Sequence, residues 1–363
     1  MPEVAASPAA DSEIFQGQES AVTYRTPPGR MASLRATKNA LMASRKAVLT
    51  THLNADGDGA GSEGAMVSWL RAHGCEAWIV NPTPFPDMFR FMIENDDWVL
   101  PAGSSRARDV CDSADLAIVL DTGEVPRIGR VRDLIRELPT VVIDHHQPGD
   151  RPIGGTSFRD PDACATGELV YDIILAADGP WTEWALKGLY VAILTDTGSF
   201  RFSNSSPGSH QVAAELIRMG VDPEEMHSKV YGAAPLRRYK LLERALATLN
   251  ADGGVAWMIV PTEAFEELEV TPDDLEGLVD VPRGVEGAQV GLLFRKTTTG
   301  EVKISLRSNG PVDVNEIARR FGGGGHVKAS GAMVAGPMER AIDEVLAVTR
   351  EAVAKAIPEG VTD

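Results

Sequence analysis

The chain is poor in cysteine, in basic charge and in long apolar stretches, and each shortage removes a class of protein. Its three cysteines, Cys75, Cys111 and Cys164, are odd in number, far apart and without a CxxC pair. That pattern argues against a disulfide framework or a thiolate zinc site and fits a reducing cytoplasm. Lys and Arg number 35 against 52 Asp and Glu, a formal charge of -17. A protein that holds long duplex DNA neutralises many phosphates and needs the opposite balance. A small anionic ligand stays open, because a few cations or bound metal ions can invert the field inside one cleft. No run approaches the roughly 18 uninterrupted apolar residues of a membrane span, so no membrane partner is expected. Residues 1–30, rich in Ala, Ser and Pro, lack the basic start and apolar stretch of a signal peptide and read as a disordered tail.

What is present has globular texture: 363 residues, 43% hydrophobic and 24% charged, enough for about two cores. From Met31 to Lys46 the spacing predicts a helix, and AVLTTH after it is a β-rich run ending at His52. SEGAMVSWLRAHG, after Gly61, predicts a helix closed by Gly74, and EAWIVN a second strand. ADLAIVLDTG and PTVVIDHH continue the rhythm to Asp121 and His146, and helices follow at ELVYDIILAA and beyond. This alternation predicts an α/β class, a doubly wound and mostly parallel sheet over residues 31–205. SHQVAAELIRMG and PLRRYKLLERALATLN read as a helical linker over 206–250. Past Asn250 a hairpin signal at Thr299 and Gly300 separates two β-rich runs, which predicts a smaller mixed α/β domain with antiparallel pairing over 251–356.

Four apolar runs end in acid or imidazole: His52-Leu-Asn-Ala-Asp56-Gly-Asp58, Leu120-Asp121-Thr-Gly, Asp144-His145-His146 and Thr195-Asp196-Thr-Gly. In an open parallel sheet, ligands bind outside the carboxyl ends of strands at a topological switch point, so these groups can converge from distant positions. Hard carboxylate oxygen with imidazole and no thiolate favours Mn²⁺, Mg²⁺ or a related ion over structural zinc. Asp56 and Asp58 point the same way only if Gly57 permits an unusual turn. In the second domain, Arg307-Ser308 and the run of four glycines before His326-Val-Lys328-Ala-Ser330 suggest phosphate recognition. Glycines Gly323, Gly324 and Gly325 would leave backbone N–H groups free to approach phosphate, and neighbouring cations would add charge-assisted bonds.

These segments, over about residues 31–350, resemble the DHH/DHHA1 phosphoesterases, in the NrnA-like branch of oligoribonucleases and 3′-phosphoadenosine-5′-phosphate phosphatases. The resemblance implies a DHH domain carrying two Mn²⁺ ions, with Mg²⁺ or Co²⁺ as alternatives. It implies His52 and Asp56 on one ion, Asp58, His145 and Asp196 on the other, and Asp121 between them. Asp144 would orient a neighbouring histidine, and His146 would face the substrate and assist the departing oxygen. The GGGH-like segment would be the substrate grip of a DHHA1 domain, formed by Arg307, Ser308, Gly323, Gly324, Gly325, His326, Lys328 and Ser330. Ala55 and Gly59 stand where the family usually has proline and alanine, which bears on the rigidity of that loop. The implied substrates are short single-stranded RNA and adenosine 3′,5′-bisphosphate, and a second copy of the chain, as a homodimer, is the candidate protein partner. A cyclic dinucleotide phosphodiesterase or a RecJ-like single-strand exonuclease would use the same metal core.

Overall fold

Strands β1 (Lys46–Thr50), β2 (Glu76–Asn81), β3 (Val99–Pro101), β4 (Leu116–Leu120), β5 (Thr140–Asp144) and β6 (Thr156–Arg159) form one sheet. They are seen in a computed structural model that describes residues 23–356 except 233, 276 and 298. Their order is β3-β2-β1-β4-β5-β6, and every neighbouring pair is parallel. The chain steps one way from β1 to β3 and the other way from β4 to β6. The reversal lies between β1 and β4, where loops leaving the carboxyl ends splay apart and open a crevice. His52 follows β1 and Asp121 follows β4, on the two sides of that crevice.

A parallel strand covered on both faces needs apolar residues at consecutive positions, and LAIVL of β4 is buried at all five. Leu116, Ile118 and Leu120 join one core while Ala117 and Val119 join another. The helices are α1 (Met31–Ala43), α2 (Gly57–Ala72), α3 (Ser105–Ser113), α4 (Val131–Ile135), α5 (Thr166–Ala176), α6 (Glu183–Asp196), α7 (Pro207–Arg218) and α8 (Pro223–His227). Helices α3 and α4 close the second core, and the others contribute to the first.

Helices α2 and α6 approach through glycine. A Cβ on Gly61 would lie 2.4 Å from the Gly188 carbonyl oxygen, and one on Gly188 equally close to that of Gly61. Backbone cannot yield as a side-chain tip can. Gly61→Ala should therefore cost about 1–3 kcal/mol by overpacking, read as a lower denaturation midpoint with an unchanged m-value; an unchanged midpoint would mean the helices separate freely.

The second unit holds α9 (Leu236–Leu246), β7 (Asn250–Asp252), β8 (Val255–Val260), α10 (Glu263–Glu267) and α11 (Asp280–Arg283). It continues with β9 (Val290–Lys296), β10 (Val302–Ser308), α12 (Val314–Arg320), β11 (Gly324–Gly325), β12 (Ala329–Val334) and α13 (Met338–Ala356). Its sheet runs β11-β12-β10-β9-β8-β7. Only β8 and β9 pair in parallel there. The β9–β10 hairpin turns at Gly300, whose φ of 88° suits glycine.

Two expected boundaries move. The chain divides between Gly232 and Ala233, inside the segment read as a linker. Val212 and Leu216 of α7 enter the first unit's core, whereas Leu241 and Ala245 of α9 enter a core with Met258 and Val260. Residues 1–22 of the expected tail lie outside the described residues, but 23–30 are held. Tyr24 and Arg30 are 5% exposed. Arg30 reaches Asp160 at 2.6 Å, Glu168 at 2.7 Å and Asp172 at 2.8 Å. Average composition could not reveal one arginine met by three carboxylates far away in sequence. Among the described residues, no helix is long and apolar enough to cross a membrane.

Candidate metal centre

Each ligand candidate is delivered by an element end and then fixed by the backbone. The buried ring of His52 donates its Nδ1–H to the Leu53 carbonyl at 2.9 Å, which turns Nε2 to Asp121 Oδ2 at 3.2 Å and Asp56 Oδ1 at 3.7 Å. His145 does the same two strands over, after β5. Its Nδ1–H donates to the Ala163 carbonyl at 3.2 Å, and Nε2 lies 3.6 Å from Asp121 Oδ1 and 3.7 Å from both Asp58 and Asp196. A carbonyl fixing one ring nitrogen so that the other can ligate is the usual arrangement around a bound metal.

Asp121 connects the two groups. It takes the left-handed conformation, φ 58°, which Asp tolerates better than most residues. One oxygen then turns to His52 while the other accepts a hydrogen bond from Thr166 Oγ1 at 3.0 Å and faces His145.

Asp58 is buried in the first turn of α2, and both its oxygens are gripped by the start of α5. Thr166 N–H donates at 2.7 Å and Gly167 N–H at 2.9 Å, joined by Ser62 Oγ at 3.2 Å. Asp196, the last residue of α6, accepts from Asn204 Nδ2 at 3.1 Å.

Gly57 makes no unusual turn. Helix α2 begins there rather than after Gly61, capped by Asp56, whose side chain accepts from Asp58 N and Gly59 N. Asp56 and Asp58 are thus the cap and second residue of one helix. Glycine is required at 57 and 59 because a Cβ would lie 2.4 Å from Thr195 Oγ1 and 2.7 Å from Thr51 Oγ1. The concern over loop rigidity at Gly59 falls away, since that residue is helical.

Three groups have ligand atoms mutually within 4.8 Å: His52 with Asp56 and Asp121, Asp58 with His145 and Asp196, and Asp121 with His145 and His146. The converging atoms are lone pairs, so burying them together needs cations or protons. Burial and the charges of Asp121 and Asp196 push Asp58 well above the ordinary carboxylate range. Burial likewise brings Asp196 to about 7. Against burial, hydrogen bonds to Asp121 and Asp56 raise His52 to about 10. Asp121 is pushed down, against burial, by its His52 bond and the neighbouring imidazoles. Without an ion, the cluster holds protons where a divalent cation would replace them, and the donor set is built to bind metal.

His146 is oriented by Asp144. Asp144 Oδ1 accepts the ring Nδ1–H at 2.8 Å and the backbone N–H at 3.1 Å, while Oδ2 lies 3.1 Å from Arg159 Nη2. Arg127 Nη1 donates to His146 Nε2 at 3.1 Å. Sequence reasoning missed Thr166, Asn204, Arg127 and Arg159. Applying the strand-end rule to β6 would have found Arg159, its last residue; nothing local marks Asn204.

In the second unit, β10 and β12 bring Arg307, Ser308, Lys328 and Ser330 together. Arg307 pairs with Ala329 across the sheet, and Ser308 N–H donates to the Lys328 carbonyl at 3.0 Å. Lys328 Nζ donates to the Gly310 carbonyl, and Arg307 Nη1 to that of Leu306 at 3.1 Å. His326 is exposed at a turn closed by its N–H to Ala329 O at 2.7 Å, and Ser330 Oγ donates back to the His326 carbonyl at 2.7 Å. The glycine run is not a row of free N–H groups. Gly322 and Gly323 donate to the Arg319 and Ala318 carbonyls that end α12, while Gly324 and Gly325 pair with β12. A Cβ on Gly323 would meet the Gly331 carbonyl at 2.1 Å, so that glycine serves close packing.

Comparison with known proteins agrees with this architecture. Residues 46–193 match the DHH family N-terminal domain, and residues 253–355 match the DHHA1 domain. The chain is 34% identical over 312 residues to the bifunctional oligoribonuclease and PAP phosphatase NrnA of Thermus thermophilus, covering 85% of this chain and 90% of that one. The protein of the same description from Bacillus subtilis is 27% identical, over 79% of this chain and 88% of its own. Among solved structures, an exopolyphosphatase-related protein from Bacteroides fragilis superposes with a TM-score of 0.80 at 26% identity, covering 90% of this chain and 96% of that chain. With both domains matched in order and the relationship running nearly end to end, the chain belongs to the DHH/DHHA1 phosphoesterase family.

Proposed function

We propose that this chain is a Mn²⁺-dependent phosphoesterase that hydrolyses short oligoribonucleotides to mononucleotides and removes the 3′-phosphate from adenosine 3′,5′-bisphosphate. The observation that carries the reading is the Asp121 carboxylate, turned so that one oxygen faces His52 and the other His145. His52, Asp56 and Asp121 would hold one ion, and Asp58, His145, Asp196 and Asp121 the other. Two divalent ions so placed acidify water and neutralise the charge that grows on a phosphoryl group in transfer. The chain's residues do the rest. Leu53 and Ala163 carbonyls fix the tautomers, and the start of α5 fixes Asp58. Asp144 holds the His146 ring through Nδ1, which leaves Nε2 on Arg127. Water adds to phosphorus and gives up a proton, the P–O ester bond breaks, and the departing ribose oxygen takes up a proton in its place, so that none is gained or lost overall. Substrate grip is assigned to Arg307, Ser308, His326, Lys328 and Ser330, while Gly323, Gly324 and Gly325 let the turn pack against β12. With its -17 charge, the chain should take short anions in preference to long strands.

The test is product release in Mn²⁺ from a labelled RNA dinucleotide, a long single-stranded RNA, adenosine 3′,5′-bisphosphate and cyclic di-AMP. Fast turnover of the dinucleotide and the bisphosphate with a poor long strand is expected; preference for the cyclic or long substrate would overturn the substrate assignment.

A further inference from the structure

Arg127 is a cation next to the metal centre, on His146, with no carboxylate partner among the described residues. Its backbone ties it to one side of the centre, because its carbonyl accepts the Leu53 N–H at 2.8 Å, next to His52. Its side chain ties it to the other side, because Nη1 donates to His146 Nε2 at 3.1 Å. The short 3₁₀ turn Val125–Ile128 that carries it ends at Gly129, φ 49°, where a Cβ would lie 3.0 Å from Pro82 Cβ. At its start the turn is tied by Val125 N–H donating to the Arg151 carbonyl at 3.0 Å.

The hydrogen bonds decide what each group can still offer. Asp144 is an acceptor, so His146 Nδ1 carries the hydrogen. Arg127 is a donor, so Nε2 supplies the lone pair. Both ring nitrogens of His146 are thereby engaged. Arg127 keeps its remaining N–H groups, and among the described residues it has no carboxylate partner. Arg159, one strand away, is paired with Asp144 at 3.1 Å, and Arg30 with three acids. An unanswered guanidinium beside six metal-binding groups suits an anion that arrives with the reaction, and its planar fork suits phosphate oxygens.

We propose that Arg127 contacts a non-bridging oxygen of the phosphate being hydrolysed, and that His146, held by Asp144, is the positioning residue that aims it. This deepens the phosphoesterase reading and rests on it. The scissile phosphate is assigned because His146 Nδ1 lies 3.7 Å from Asp121 Oδ1, the carboxylate shared by both metal groups. A contact to that phosphate serves every substrate, whereas a contact to a distal phosphate or base serves one.

The full-length chain in Mn²⁺ tests this through Arg127→Met and Arg127→Lys. Arg127→Met should lower kcat/KM about 10²-fold, by a similar factor on the RNA dinucleotide and on adenosine 3′,5′-bisphosphate. It should weaken AMP binding in isothermal titration and leave Mn²⁺ binding, read from free-ion EPR, unchanged. Arg127→Lys should recover part of the loss, since it returns the charge without the fork. His146→Gln, which keeps an acceptor for Arg127, should retain more activity than His146→Ala. Activity within a few-fold of the parent, loss on one substrate only, or weakened Mn²⁺ binding would each overturn the assignment. If the parent chain turns over neither substrate, the phosphoesterase reading itself fails; AMP titration of the parent and Arg127→Met then still decides the phosphate contact.

Discussion

Asp121→Asn is expected to reduce kcat by at least about 10⁴-fold with no change in far-UV circular dichroism. Asparagine is the informative replacement. Residue 121 sits at φ 58°, a conformation that Asn shares with Asp and that Ala would strain. The amide oxygen can still accept from Thr166 Oγ1, so the local structure has its bond. What is lost is the negative charge between His52 and His145, and with it the bridge between the two metal groups. The transition-state stabilisation that a metal ion supplies is several kcal/mol, and each 1.36 kcal/mol is about a factor of ten. Activity within about tenfold of the parent would place the chemistry elsewhere.

Chelation should abolish turnover and reshape stability against pH. In the metal-free protein Asp196 keeps its proton up to about 7, while an unfolded chain releases it near 4, as usual for Asp. The folded state binds more protons across that window, so stability falls as pH rises through it. His52 adds a second slope of the same sign. Its contribution is fully present below its ordinary value near 6.5 and is lost as pH rises toward about 10. Asp121, pushed down, contributes above the ordinary Asp value and opposes neither slope at neutral pH. Bound Mn²⁺ replaces those protons and flattens the curve. At a hundred times its dissociation constant it adds about 2.7 kcal/mol per ion, roughly 5–10 °C in Tm for a unit of this size. Melting curves with Mn²⁺ and with chelator, from about pH 5 to the alkaline side, read this directly; a chelated protein that gains stability as pH rises through that range would contradict the cluster.

The parts of the fold legible beforehand were those written in consecutive residues. LAIVL and TVVID are apolar on both faces, which only a covered parallel strand requires, and their ends placed Asp121 and the DHH run at one edge of a sheet. The start of α2 was not legible. Glycines at 57, 59 and 61 count against a helix locally, yet each is selected by a neighbour outside the helix, Thr195, Thr51 and Gly188. The anchoring of residues 23–30 was hidden for the same reason, because Arg30 finds its partners at 160, 168 and 172. At the centre, the ligand candidates were legible in the sequence but not the groups that hold them. Thr166, Asn204 and Arg127 are ordinary polar residues until the fold points them at Asp58, Asp196 and His146. The glycine run misled in the opposite direction, since Gly322 and Gly323 spend their N–H groups on the end of α12.

The wide spacing of the six ligand candidates has a consequence for biosynthesis. During translation, at roughly 5–20 residues per second, the groups emerge in order from His52 to Asp196. Strand β1 is central and needs β4 beside it, and α2 leans on α6, which ends in Asp196. A nascent chain therefore carries a string of carboxylates and imidazoles that cannot yet close around anything. Only when α6 and Asn204 have left the ribosome can the cage be complete, so a nascent chain truncated before that point has no complete cage in which to sequester metal.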